Sequence, residues 1–414
     1  MTSNRRGKVL LVCAQCDGDD TGESWCGYKW ATELSRHYDV TMLTVLFPGD
    51  RPPSVQVPHA RVIEWKAFPF ISQFPRFNRA IKPWYPNFYR KARKWLKKHA
   101  AEGNYDIIHH ITPMAMRYPS PCAGLGLKYI IGPVAGTLST PAGFANELDT
   151  QPMFMKLRGV DDFRLRRDPM LRKTYEDARA VICTAPYAAQ KLAAFKIKRV
   201  AIETEVIIDE LDEPVERSHR AKQDVNFLFV GRVVRTKGVR DAIRALARLN
   251  DLPQATLTVA GAGEDMETCK AESERLGLAD RVKFLGRQSR TEVEELYRKA
   301  DVFLFPSFRE PTGIVLFEAM RAGLPVIAAD YGGPSDIISN ETGFRIPVRT
   351  PDEFVIEIAA AMRKLANDAA LRASMSAAGV KRAAELGLWQ NKMDRIAKLY
   401  HDLAGIEPQG VSDA

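Results

Sequence analysis

The sequence predicts an α/β protein built of two doubly wound parallel-sheet domains, and three observations predict it. Short apolar runs alternate with helical patterns along most of the chain. The alternation begins again after a polar, charge-rich run, ERSHRAKQD at 216–224. A chain of 414 residues is long for one core and suits two domains of about 200 residues each.

In the first half, KVLLVCA reads as a strand, Tyr28 to Arg36 as a helix, and VTMLTV, YDIIHHI, LKYIIGPV and AVICTA as further strands, each followed by loop or helix. In the second half, Phe227 to Val230 is a strand, a helix follows Gly238, and TLTVAGAGED and VKFLGRQSRTEVEELYRKAD repeat the strand, turn and helix order. VFLFP is a buried strand and PSFREPT a loop. The next helix starts near Gly313 and stops at Gly323, where a left-handed cap suits glycine. After Pro351 come two helices, then a last one in which Leu388, Met393, Ile396, Leu399, Tyr400 and Leu403 fall mostly at helical spacing. The expected domains are residues 1–205 and 206–387, with the boundary between 205 and 222.

Ligands of open parallel sheets bind beyond the carboxyl ends of the strands, so the chemistry is sought in the loops there. Glu310 and Glu318 flank the helix start at Gly313. The backbone N–H groups of Gly313, Ile314 and Val315 and the positive end of the helix dipole make a diphosphate site there. Glu318 lies roughly 7.5 Å further along the helix, so the two acids bracket the phosphates and can accept hydrogen bonds from hydroxyls on either side. Upstream, the loop after Val230 carries Arg232 and Lys237, a fork and a mobile point charge able to neutralise a diphosphate without a metal. Gly261 and Gly263 either let a ligand approach or form a tight strand-to-helix turn, and Gly286 with Arg287 ends the next strand at the same rim.

The run E-P-x-G-x-x-x-x-E-A-M-x-x-G-x-P-V-I from Glu310, with G-R-x-x-x-x-K-G around Arg232 and Lys237, resembles the GT4 family of retaining glycosyltransferases, which have the GT-B fold. The resemblance implies two such domains facing across a cleft, with the terminal helix, about 388–404, crossing back to the first. It implies a nucleotide-sugar donor, UDP- or GDP-linked, with no further cofactor. Glu310 would contact the donor sugar, Glu318 the ribose, and Gly313, Ile314 and Val315 the diphosphate. Arg232 and Lys237 would stabilise the departing charge, and the rim with Gly261, Gly263 and Arg287 would hold the base.

On the acceptor side this chain departs from the family. The long loop QCDGDDTGESWCGYKW offers Gly22 and Gly27 for close approach but differs from the usual Gly-Gly-x-x loop. Its Asp19, Asp20 and Glu23 could coordinate a cation, but a solvated acidic loop is the better reading, and no metal is expected. Where many members carry a histidine this chain has Ile131 to Gly136, so His109 and His110, ending the preceding strand, stand as catalytic candidates beside a structural alternative. The N–H groups of the GPVAG turn offer another route to the donor.

Composition narrows the partners. The net charge is +9, and residues 61–98 hold eleven Lys or Arg against one acid, Glu64. Among them stand Trp65, Phe68, Phe70, Phe74, Phe77, Trp84, Tyr85, Phe88, Tyr89 and Trp95. That mixture fits an anionic membrane surface and a lipid-linked acceptor, the alternative being aromatics packed inside beneath a solvated basic face. No nucleic-acid motif accompanies it. No apolar run reaches the roughly 18 residues of a membrane span, the N-terminus reads as a strand and not a leader, and Cys13 and Cys16 have no second pair at zinc spacing. A cytoplasmic enzyme is expected, peripheral on the inner membrane face. It would add hexosyl units to a glycan or lipid-linked acceptor of cell-surface polysaccharide or lipopolysaccharide, the alternative being a non-catalytic nucleotide-sugar-binding subunit.

Overall fold

The computed structural model describes residues 6–20, 22–67, 82–100, 105–136, 138–147, 158–205, 208 and 224–409. The polar run at 216–223 and Phe68, Phe70, Phe74 and Phe77 lie outside them. The chain divides into two compact units, Met1–Thr137 with Leu157–Glu205 and Lys392–Ala414, and Leu138–Lys156 with Val206–Asn391.

The first unit is a seven-stranded sheet in the order β3-β2-β1-β4-β5-β6-β7. Its strands are β1 (Lys8–Cys13), β2 (Asp39–Leu46), β3 (Arg61–Lys66), β4 (Ile107–Thr112), β5 (Tyr129–Val134), β6 (Ala180–Cys183) and β7 (Val200–Ile202). Every pairing is parallel. Helices cover both faces, so central strands such as β4 are buried at every residue. The second unit is a six-stranded sheet, β10-β9-β8-β11-β12-β13. Here β8 is Asn226–Val230, β9 Thr256–Ala260, β10 Val282–Gly286, β11 Val302–Phe305, β12 Val326–Ala329 and β13 Gly343–Ile346. It too is wholly parallel. The strand order reverses between β1 and β4 in one sheet and between β8 and β11 in the other, which is where crevices open in such folds.

Three strands escaped the sequence reading: β3, β7 and β13, the outermost of their sheets and, in β3 and β7, only partly covered. The first helix also begins earlier than Tyr28, at Glu23, behind the left-handed Gly22. Gly27 is therefore inside a helix and not in a loop. A Cβ there would stand 2.2 Å from the Gln15 carbonyl oxygen and 2.8 Å from Cys13 Sγ. Its bareness serves the packing of helix on strand end.

The helix Tyr85–His99 corrects the picture of aromatics spread over an interfacial surface. Trp84, Tyr85 and Phe88 are buried in the core, where Tyr85 donates to the Pro119 carbonyl at 2.6 Å. Trp65, Tyr89 and Trp95 are half-buried against the same core. What the helix exposes is charge: Arg90, Lys94, Lys97 and Lys98. Among the described residues no helix is long and apolar enough to cross a membrane.

The last helix, Trp389–Ala404, starts in the second unit and from Lys392 counts with the first. There Tyr400 is fully buried and meets His109.

Candidate functional site

The loops after β8 and β11, the two strands flanking the reversal of the second sheet, are packed on each other. Gly238, in left-handed conformation, lies so close to Pro306 that a Cβ would stand 2.0 Å from its carbonyl oxygen. Ser307 Oγ donates to the Thr236 carbonyl at 3.2 Å. This contact brings Lys237 to Glu310. Their ammonium and carboxylate form an ion pair that is mostly shielded from solvent, and Lys237 also sits 5.2 Å above the Phe305 ring.

Glu310 has a second set of partners. Its Oε1 accepts from the Thr312 N–H at 3.2 Å and the Gly313 N–H at 3.1 Å, so the acid lies on the end of the helix Ile314–Arg321. Gly313 is its left-handed N-cap, with φ of 77°. Of the three N–H groups assigned to a diphosphate, Gly313's is therefore engaged by Glu310 in this structure. Those of Ile314 and Val315 open the helix and have no acceptor among the described residues. The Glu310 backbone is fixed independently: its carbonyl accepts from the Gly333 N–H at 2.9 Å, in the loop after β12. Glu318, one turn on, accepts from the Tyr297 hydroxyl at 2.9 Å. Burial, with Glu318 adding to it, pushes the Tyr297 hydroxyl well above its ordinary pKa, so it donates and holds the acid in place. Sequence reasoning missed Tyr297, whose partner is 21 residues away on another helix.

Arg232 is exposed beyond β8, with no side-chain partner among the described residues. Arg287 is likewise exposed, at the end of β10. Gly231 and Gly261 follow β8 and β9 and Gly286 ends the neighbouring β10, and the Gly261 N–H donates to the Gly286 carbonyl at 2.8 Å. A Cβ on Gly261 would stand 1.7 Å from the Gly231 oxygen, and one on Gly263 2.1 Å from the Val233 oxygen. These glycines are required by loop packing against neighbouring loops, which keeps the rim flat.

Beneath the Lys237 loop, Arg235 is buried. It pairs with the buried Asp241 at 2.6 Å and with Glu147 at 2.8 Å, and lies 5.1 Å from the Phe308 ring. Burial disfavours the charge of both partners and raises the Asp241 carboxyl above its ordinary pKa, while Asp241 and Glu147 together keep the guanidinium charged.

In the first unit the candidates separate. His109 and His110 are fully buried. One ring nitrogen of His109 meets the Tyr400 hydroxyl at 2.8 Å and the other the Gly132 carbonyl at 2.8 Å. His110 turns Nε2 to the Thr112 carbonyl at 3.1 Å. Neither is presented to a ligand, which corrects their candidacy for catalysis. Burial holds them neutral, with pKa lowered to about 3 for His109 and about 4 for His110. Both take up protons only on unfolding, so stability is full above the ordinary value of 6.5 and falls below it as pH drops toward 4, by up to about 2.7 kcal/mol per pH unit for the two together. Urea unfolding at pH 7 and pH 5 checks this, and His110→Gln is expected to flatten the slope.

The GPVAG turn spends the Ala135 N–H on the Met114 carbonyl at 2.8 Å. Glu23 opens the first helix and is bound by the buried Lys82 at 2.8 Å and by the Met114 N–H at 2.7 Å. Asp19 pairs with Arg51 at 3.2 Å. Gly22 faces open space, with nothing within 4 Å of a built Cβ. All six thiols are free and buried, Cys13 and Cys16 among them.

Comparison with known proteins follows the same division. Residues 28–204 match the family described as Glycosyltransferase Family 4, and residues 212–382 the family described as Glycosyl transferases group 1. An uncharacterized glycosyltransferase of Methanocaldococcus jannaschii is 38% identical over 126 residues, 30% of this chain and 32% of its own. The lipopolysaccharide core biosynthesis glycosyltransferase LpsD of Rhizobium meliloti is 33% identical over 211 residues, 50% of this chain and 58% of its own. The chain thus spans about a third to three-fifths of the length of these relatives. Anabaena HepE, solved in complex with UDP, superposes with a TM-score of 0.63 over 96% of this chain and 100% of its own, at 18% identity, a likeness of fold.

Proposed function

We propose, from the premise that this chain belongs to the GT4-type glycosyltransferases of GT-B fold, that it transfers a hexosyl unit from a UDP- or GDP-sugar to a glycan or lipid-linked acceptor, with retention and without a metal. The observation that carries this reading is the Lys237–Glu310 pair lying on the first turn of the helix Ile314–Arg321, at the reversal point of the second sheet. The Glu310 carboxylate lies on the helix end, accepting from the Thr312 and Gly313 N–H groups. A diphosphate entering there takes Lys237 and the N–H groups of Ile314 and Val315 as its own partners, with Arg232 free to close on it. Glu310 is then released to the sugar hydroxyls, and Glu318, held by Tyr297, to the ribose.

In the transfer step the bond between the anomeric carbon and the phosphate oxygen breaks, and the acceptor oxygen bonds that carbon on the same face. The acceptor proton passes to the departing phosphate oxygen, since both histidines are committed inside the first unit. The two cations and the helix end stabilise the negative charge as it develops, the task a metal would otherwise perform.

The lipopolysaccharide relative supports a cell-surface glycan as product, and the UDP complex of HepE supports a uridine donor. The basic face of Arg90, Lys94, Lys97 and Lys98 supports a peripheral site on an anionic cytoplasmic leaflet, held by charge alone. Co-sedimentation with anionic vesicles is therefore expected at low salt and abolished at high salt. A protein that stays in the supernatant at low salt refutes the membrane site. The proposed activity is tested by nucleotide release: UDP or GDP should appear from the matching sugar nucleotide when acceptor is supplied. No release with either would favour a non-catalytic binder.

A further inference from the structure

After β5 the chain leaves the first unit: Leu138–Lys156 counts with the second, and the first resumes at Leu157. The described part of this excursion, residues 138–147, is built for packing. The Phe144 N–H donates to the Pro141 carbonyl at 2.9 Å, at the start of a 3-10 turn, Ala142–Glu147. Gly143 lies against the loop after β13, where a Cβ would stand 1.8 Å from the Arg349 carbonyl oxygen. The bare backbone permits that approach, and Phe144 enters the core of the second unit, fully buried, with its ring 5.5 Å from Phe354.

The other neighbours of this segment belong to the donor loops. Phe308, two residues before Glu310, is fully buried, its ring 4.4 Å from Phe144 and 5.1 Å from the Arg235 guanidinium. Arg235, two residues before Lys237, is bound by Glu147 through Nη2 at 2.8 Å and Nε at 2.9 Å. The start of the segment reaches a third loop: a Cβ on Gly332 would stand 2.5 Å from Leu138 Cδ2 and 2.3 Å from the Glu310 carbonyl oxygen. Leu138, Phe144 and Glu147 thus meet the loops after β12, β11 and β8. A ring and a guanidinium packed on each other join the paths of the Glu310 and Lys237 loops, and Phe144 and Glu147 are the partners that complete the stack.

We infer that residues 138–147 position the donor loops, with Phe144 and Glu147 as positioning residues that act through Phe308 and Arg235 on Glu310 and Lys237. What the loops do rests on the function proposed above, whereas their stiffening by the segment does not. The effect falls on the chemical step. A diphosphate finds partners outside this stack, in the Ile314 and Val315 N–H groups and Arg232. Charge on the departing oxygen is stabilised by groups fixed in advance, and a misplacement of about 1 Å costs roughly 10²-fold in rate.

Two measurements on the full chain test this: nucleotide release to water from UDP-glucose or GDP-mannose, which needs no acceptor, and amide hydrogen exchange of the free protein read by mass spectrometry. Phe144→Leu and Glu147→Gln are each expected to lower kcat about tenfold while KM for the donor stays within about twofold, the pattern of a loss confined to the transition state. Peptides covering 231–238 and 306–313 should exchange about tenfold faster, and the peptide of β9 as in wild type. Leu249→Ala is the control. It opens a hole in the same core just past the far end of the helix Val239–Ala247, so it should lower the melting temperature and leave kcat and loop exchange unchanged. Should Phe144→Leu fail to fold, Glu147→Gln, which alters a partly exposed carboxylate, decides the matter. The inference is overturned if both variants match wild type in kcat and loop exchange, if KM rises with kcat unchanged, or if the losses merely follow the melting temperature as in Leu249→Ala. Faster loop exchange in a protein whose wild type releases no nucleotide supports the stiffening and sinks the transfer reading alone. Normal release beside unchanged exchange sinks the positioning alone.

Discussion

Lys237→Ala is expected to slow nucleotide release from the donor sugar by roughly 10²–10³-fold, the usual loss when one group stabilising transition-state charge is removed. The ammonium is mostly shielded from solvent, held between the Glu310 carboxylate and the Phe305 ring. Its removal need not unfold the site, since Glu310 keeps the Thr312 and Gly313 N–H groups as donors. Glu310→Gln tests the other partner. It keeps the size of the side chain but weakens its grip on a sugar hydroxyl, and a loss of roughly 10–100-fold is expected. Arg290→Ala, at an exposed position on a helix surface, is the control expected to match wild type. Equal release by all four proteins would remove Lys237 and Glu310 from the chemistry.

The second large effect is on stability. Arg235→Ala leaves the fully buried Asp241 carboxylate without its partner, and breaking such a pair from one side costs about 3–5 kcal/mol. The double replacement Arg235→Met/Asp241→Leu removes both charges at similar volume and should recover most of that loss. Denaturant midpoints of the three proteins decide the matter. A single variant within about 1 kcal/mol of wild type would show that water or a rearranged side chain already satisfies Asp241. Glu147 limits the recovery, because it too binds Arg235, at 2.8 Å.

What could be read in the chain was what local chemistry dictates. The helix from Gly313 to Gly323 is bounded by two glycines that both adopt positive φ, so spacing and residue type carried the same message. The apolar runs of β1, β8 and β11 announced a parallel sheet because strands covered on both faces have no polar side to display. The same property hid the fate of His109 and His110. In a strand buried at every position, alternation does not distinguish inside from outside, and only the register with β5 and the arrival of Tyr400 fixes them. Long-range partners were equally silent: Tyr297 for Glu318, and Glu147 for Arg235, 88 residues apart. The aromatics of the helix Tyr85–His99 misled because they share a short segment with its lysines, yet the helical period sends the two groups to opposite sides.

The division of the chain also sets an order of assembly. Residues from Lys392 onward count with the first unit, and Tyr400 supplies the hydroxyl that caps the buried His109 ring. A ribosome delivers those residues only after the whole of the second unit. The amino-terminal half, although made first, must wait with an open flank until Lys392 and the residues after it have been made, whereas the later-made half has its last residue at Asn391. Nascent-chain maturation thus runs against the direction of synthesis, and a premature stop before Lys392 would strand the half that was begun earliest.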